Sequence, residues 1–349
     1  MNNMDITKES KPYLPTLETG KPRIDYIDLM KGLTILWVIW VHTDYPDVGH
    51  LTNQLFFFAS GIFFKLSDAK TFFTKRVWMI IIPFCLFYVL SIPFRIIVDP
   101  WDYRSFAAFD WNRVLDIFKI EARSDYLSLN VPLWFLITLF MIQAYSFIIF
   151  RLSKLIIGIL AIVSLITFDW LYSIPTPFMI NNAFAWFGYF AIGYLSGKPL
   201  IQFLNKTSRK VILLIGTLMT VLACIWIQTM EFEDSYLLIE KLKQIAFVIC
   251  FMTFFSFFNG NRYLEILRFF GKNSLIVLGA HLYILIPLER ISFRLTRLHS
   301  PWIGLVLTII TAALLIPIIN WMNHSIPHLV GKNNIKATSN VGIIHQYRN

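Results

Sequence analysis

Long apolar runs dominate the chain, and clusters of charge break them at short intervals. The runs fall at roughly 29–47, 50–66, 77–98, 131–150, 154–171, 178–197, 211–230, 244–259, 273–289 and 301–322. A helix needs about 20 mostly apolar residues to cross a bilayer. The pattern therefore predicts an all-α fold, a polytopic membrane bundle of about ten transmembrane helices. The first two runs are short and carry polar residues, and the ninth contains His281. An even number of spans puts both termini on one side. Around the bundle, residues 1–22 read as a polar N-terminal tail with no apolar core of a signal peptide, 23–330 as the membrane domain, and 331–349 as a C-terminal tail.

Loop charge sets the orientation. Lys65, Lys70, Lys75 and Arg76, then Arg151 and Lys154, then Lys198, Lys206, Arg209 and Lys210, then Arg262, Arg268 and Lys272 fall on the side of the N-terminal tail. The opposite loops are acidic: Asp44 and Asp47; Asp99, Asp102, Asp110, Asp116, Glu121 and Asp125; Asp169; Glu231, Glu233, Asp234 and Glu240. Basic residues collect in cytoplasmic loops, so both termini are expected in the cytoplasm. Arg290, Arg294 and Arg297 depart from this rule, as a tolerated exception or an anion site. The long connection 99–130 should not be structureless. Its segment 111–123 (WNRVLDIFKIEAR) reads as a short interfacial helix capping an external cleft. No internal repeat of the kind common in transporters is evident.

Composition agrees with the pattern. Hydrophobic residues are 56% and charged residues 15% of the 349, against about 45–50% and 25% in soluble domains. This excludes a disordered chain, a coiled coil and an ordinary soluble globule. The net charge of +10 would suggest nucleic acid in a soluble protein; here loop asymmetry explains it, and no nucleic-acid partner is expected. Cys85, Cys224 and Cys250 sit inside apolar runs with no pairing or ligand spacing, so neither a disulfide scaffold nor a metal site is expected.

Ionisable residues within a span are costly and point to function. Lys31 and His42 lie eleven residues apart in the first run. That is about three turns plus 20°, one helix face, with about 16 Å between them along the axis. Asp28 stands one turn before Lys31, spaced to pair with it. Two readings stand: Lys31 snorkels and His42 is an interface residue, or the face is a working one. Ser60 and Gly61 allow close helix approach, as do Gly188, Gly193 and Gly197. Pro132 and Trp134 fit a helix start at an interface belt. Gly271, Asn273 and Ser274 form a helix start, with His281 two turns on.

These elements resemble the integral-membrane acyltransferase family 3, nearest its fucose 4-O-acetylase-like branch. The carrying residues are DYIDLMKGLTI at 25–35 with His42, FFFASG at 56–61, IPF at 82–84, LWFL at 133–136, the glycines at 188–197, and GKNSL at 271–275 with His281. They occur in the family's order. The family's basic-x10-His signature maps onto Lys31 and His42. Its Arg-x-x-Arg motif is met at Arg76 but not at Met79, where Lys75 is the nearby substitute charge. The resemblance implies acetyl-CoA as donor substrate, no permanently bound cofactor, and a glycan or lipid-linked sugar as acceptor. It also implies a multi-pass protein of a bacterial inner membrane; a homo-oligomer is left open. For such chemistry the catalytic candidates are His42, Lys31 and Asp28. An imidazole suits a general base or a transient acyl carrier. Lys75 and Arg76 are donor-binding candidates, since CoA carries several phosphates. His281, Ser60, Asn273 and Trp134 are second-site candidates. A transporter for a small anion or glycan precursor, and a non-catalytic assembly partner, remain alternatives.

Overall fold

The computed structural model describes residues 24–43, 51–101, 109–119, 127–229, 237–296 and 300–332. The two predicted tails lie outside these residues, save for Gly331 and Lys332 at the start of the second. So do Asp44, Asp47, Asp102, Glu121, Asp125, Glu231, Glu233, Asp234 and Arg297. Among the described residues the fold is all helical, with no strand. The helices are α1 (Asp25–Val41), α2 (Thr52–Ile62), α3 (Ala69–Arg76), α4 (Ile82–Val98), α5 (Trp134–Ile149), α6 (Lys154–Ile166) and α7 (Phe168–Ser173). They continue as α8 (Ile180–Lys206), α9 (Arg209–Thr229), α10 (Leu237–Phe257), α11 (Glu265–Lys272), α12 (Ser274–Thr296) and α13 (Pro301–Ser325). Among the described residues four segments are long and apolar enough to cross a membrane: Ala69–Val98, Val131–Ile149, Ser274–Thr296 and Pro301–Ser325.

The helices depart from the apolar runs where polar residues enter or leave a helix. The first run, expected at 29–47, is a helix from Asp25 that ends at His42, whose backbone N–H caps Val38 and Ile39 carbonyls. α2 has 11 residues, about 16 Å of helix, short of the hydrocarbon thickness. The third run joins α3 through a π-helical turn at Val77–Ile81. The fifth breaks at Thr167 into α6 and α7. α10 begins at Leu237, so Glu240 lies on a helix and not in the predicted outer loop. Pro93, Pro199, Pro287 and Pro317 sit inside helices, as spanning helices tolerate where neighbours satisfy the freed carbonyls.

Packing centres on α1, with Leu29, Met30, Ile35 and Ile39 fully buried. In an apolar medium helices associate through close contact and not through water release, so small residues mark the crossings. Gly32 and Gly271 face each other across α1 and α11: a Cβ on either would overlap the Leu267 or the Asp28 carbonyl. Gly61 and Gly193 do the same for α2 and α8, against Phe190 and Phe58 carbonyls. The glycines at 188–197 serve two crossings: Gly188 meets Leu165 of α6, while Gly193 and Gly197 meet α2. Five residues between the first two turn the helix by about 140°.

The segment Trp111–Phe118 forms a 3₁₀ helix. It buries Ile117 and sets Phe118 edge-on against Phe178, at 5.6 Å between centroids. Arg113 ties it down by an ion pair with Asp99 and by donating to Ser128 Oγ at 2.9 Å. Arg95 donates to the Leu129 carbonyl at 2.9 Å. Arg290 donates to the Val98 carbonyl, which gives the unexpected basic residue a structural task at the end of α4.

Candidate functional site

The stripe Lys31, Ile35, Val38 and His42, spaced four, three and four apart, forms one side of a cavity of about 1200 Å³. Helical periodicity predicts such a stripe, and it borders the cavity with Ile35 and Val38 buried between the two polar ends. Ser60, Phe63 and Phe64 come from α2 and the turn after it, Lys75, Arg76 and Met79 from α3 and the π turn. Trp134 and Phe135 come from α5, and Ser274, Leu275 and Leu278 from α12.

His42 is half-buried at the end of α1, and its Nδ1 lies 2.7 Å from the Val38 carbonyl. A carbonyl only accepts, so Nδ1 carries the proton and Nε2 is the ring's basic nitrogen. His281 is fully buried in α12. Its Nδ1 lies 2.8 Å from the Val277 carbonyl and 3.1 Å from that of Leu278, which assigns the same tautomer. The two rings meet edge to face, with centroids 5.1 Å apart at 70°. His281 Nε2 is buried with no hydrogen-bond partner among the described residues. His281 is not part of the cavity wall; it stands behind His42 and contacts it.

The cationic side of the wall is built on α3. Asp68 caps this helix, its Oδ1 accepting from Thr71 N–H at 2.9 Å. That bond holds the Asp68 carboxyl below its ordinary value. Arg76 lies over the Phe72 ring at 4.8 Å and the Phe64 ring at 5.9 Å. Such stacking fixes a guanidinium while leaving its edge for a phosphate. Lys75 is exposed beside it on the wall, together with Met79.

The other candidates separate. Ser60 reaches the wall. Trp134, expected in an interface belt, is buried and also on the wall, packed with Trp186 at 6.0 Å. Asp28 is buried at the Gly32–Gly271 crossing and does not line the cavity. Asn273 is buried off the cavity: its Nδ2 donates to the Phe269 carbonyl at 2.8 Å, and its Oδ1 accepts from Asn323 at 2.9 Å and Lys332 at 2.6 Å. That knot fixes the α11–α12 corner to the end of α13 and to the chain beyond it.

Sequence reasoning missed a polar group on the same wall: Gln54, Lys241 and Gln244, with Asp169 and Glu240 seen only as loop charges. Its signal was IEKLKQ at 239–244, where Glu240 and Gln244 are one turn apart and Lys241 and Lys243 are buried. Among the described residues no group of three His, Cys, Asp or Glu is placed to hold a metal ion.

No curated protein and no solved structure matches the chain. The acyltransferase-3 family model, an acyltransferase domain, matches residues 24–321 and thus most of the chain, including all the wall residues described above. With its membrane-length apolar helices and this match, the chain belongs to acyltransferase family 3 and is an integral membrane acyltransferase.

Proposed function

We propose that the protein moves an acetyl group from acetyl-CoA to a hydroxyl of a cell-surface or exported glycan, or of its lipid-linked precursor. The observation that carries this is one cavity wall holding an oriented imidazole, His42, together with three cations, Lys31, Lys75 and Arg76. The cations suit the phosphates of the donor. In the reaction, the acceptor oxygen attacks the thioester carbonyl carbon as His42 Nε2 takes its proton. The carbon–sulfur bond then breaks, and the imidazolium returns the proton to the leaving thiolate. His281, in contact with the His42 ring, holds it in place.

The proposal keeps the ten spans and the cytoplasmic termini, supported by the loop asymmetry. It also keeps the bacterial inner membrane and the fucose 4-O-acetylase-like branch, supported by the ordered motifs. Donor entry then falls on the cytoplasmic side.

The test uses membranes expressing the full chain, given labelled acetyl-CoA. Label counted in glycan for wild type, and lost in His42→Ala at matched expression, is the expected result, with Lys31→Ala impaired in donor use. Undiminished label in His42→Ala would move the chemistry away from that ring. A wild type that neither labels glycan nor hydrolyses acetyl-CoA would overturn the proposal.

A further inference from the structure

Away from the cations, the cavity wall carries a built polar group of a different character. Gln54, at the start of α2, donates from Nε2 to Gln244 Oε1 at 3.0 Å. Tyr189 Oη donates to the same oxygen. Gln244 Nε2 donates to Glu240 Oε1 at 3.1 Å. This relay orients two amides and a carboxylate. Gln54 is buried and Tyr189 fully so, and a network held this way is rigid. Lys241 is already committed, at 3.2 Å from Asp169 Oδ1 and 4.3 Å above the Phe168 ring. Trp186, set edge-on to Phe168 at 4.9 Å, is part of the same wall. Gln54 lies in the first turn of α2 and Phe64, which contacts Arg76, just past its end, with about 12 Å of helix from Gln54 to Ile62 between them. The amide relay and the donor cations are therefore separate stations of one cavity.

Fixed amides and carboxylates read neighbouring hydroxyls, and an aromatic face takes up the C–H side of a sugar ring. Charge narrows the class. Among the described residues of this part of the wall, the cation is Lys241, paired with Asp169; Glu240 adds a second acid. A uronic or sialic acid would bring its carboxylate against two acids with no uncommitted cation. We propose that Gln54, Glu240 and Gln244 form the acceptor subsite and that it selects a neutral sugar unit. This rests on the acyl-transfer reading above.

The experiment uses detergent-solubilised full chain, labelled acetyl-CoA and two p-nitrophenyl glycosides, a glucoside and a glucuronide. The expected result is transfer to the glucoside with kcat/KM at least tenfold above the glucuronide. Gln54→Ala and Gln244→Ala should each raise the glycoside KM tenfold or more while leaving the KM for acetyl-CoA within twofold. Should a variant not fold, Gln244→Glu, close in size, provides the second reading and should weaken the glucuronide further. Equal use of both glycosides, or variants that shift both KM values together or neither, would overturn the subsite. Donor hydrolysis with no transfer to either glycoside would also overturn it and leave acyl transfer standing. Loss of hydrolysis and transfer alike in wild type would defeat the reading it rests on.

Discussion

Replacing His281 by Phe asks whether the second imidazole acts through the first. The ring is fully buried, 5.1 Å from that of His42. Phe keeps a planar ring but is larger than imidazole, so overpacking at this buried site should cost about 1–3 kcal/mol of stability, which matching folded amounts removes from the rate comparison. The two carbonyls that accept from His281 Nδ1, those of Val277 and Leu278, belong to α12 and keep their helical bonds. What changes is the edge-to-face ring contact against which His42 is seated. Small misplacements of a catalytic group cost up to about a hundredfold in rate. We expect kcat to fall about 10- to 100-fold, or about 1.4–2.7 kcal/mol, with the KM for acetyl-CoA unchanged. His42→Ala removes the base and should cost about 10²- to 10⁴-fold. If His281 works only by holding His42, the double variant is no slower than His42→Ala, and the interaction free energy equals the whole His281 loss. The assay is acetyl transfer by solubilised full-length variants at matched folded amounts, with kcat and KM read separately. Losses that multiply, or a changed KM with kcat intact, would falsify the linkage.

Other consequences follow from the same geometry. Gly32→Ala and Gly271→Ala place a methyl group into a backbone carbonyl and should each cost about 1–3 kcal/mol, read as a lower unfolding midpoint in detergent. Gly158, in α6 with nothing near its Cβ position, is the control: Gly158→Ala should be neutral or stabilise by up to about 1 kcal/mol, and equal effects at the three sites would contradict the crossings. Arg76→Ala, and more mildly Lys75→Ala, should raise the KM for acetyl-CoA with little change in acceptor KM; a shift in acceptor KM alone would reassign them. The Asp68 carboxyl is held low by Thr71 N–H, so its capping stability is present above the ordinary carboxylate value and lost as pH falls through the depressed one. Asp68→Asn caps without titrating, and its unfolding midpoint should fall less steeply than wild type's between about pH 5 and 3.

Much of this protein was legible locally. Apolar run length reports the cost of leaving backbone groups unsatisfied in lipid, so an all-helical membrane protein follows from composition and pattern. Helical periodicity is local too, and it put Lys31 and His42 on one face, the face that lines the cavity. Paired small residues announced close crossings at Gly61 and Gly193. Element bounds were less legible, because polar residues join helices: Asp25 in a first turn, where an acid suits the helix dipole, and Glu240 bonded to Gln244. Which helix meets which was not legible at all. His281 reaches His42, and Gln244 reaches Gln54, from distant parts of the chain, and no spacing encodes that. The Gly32–Gly271 contact and the aromatic packing around Trp134 and Trp186 decide it, since shape complementarity between whole helices, not the sequence of any one, selects the neighbours that complete the site.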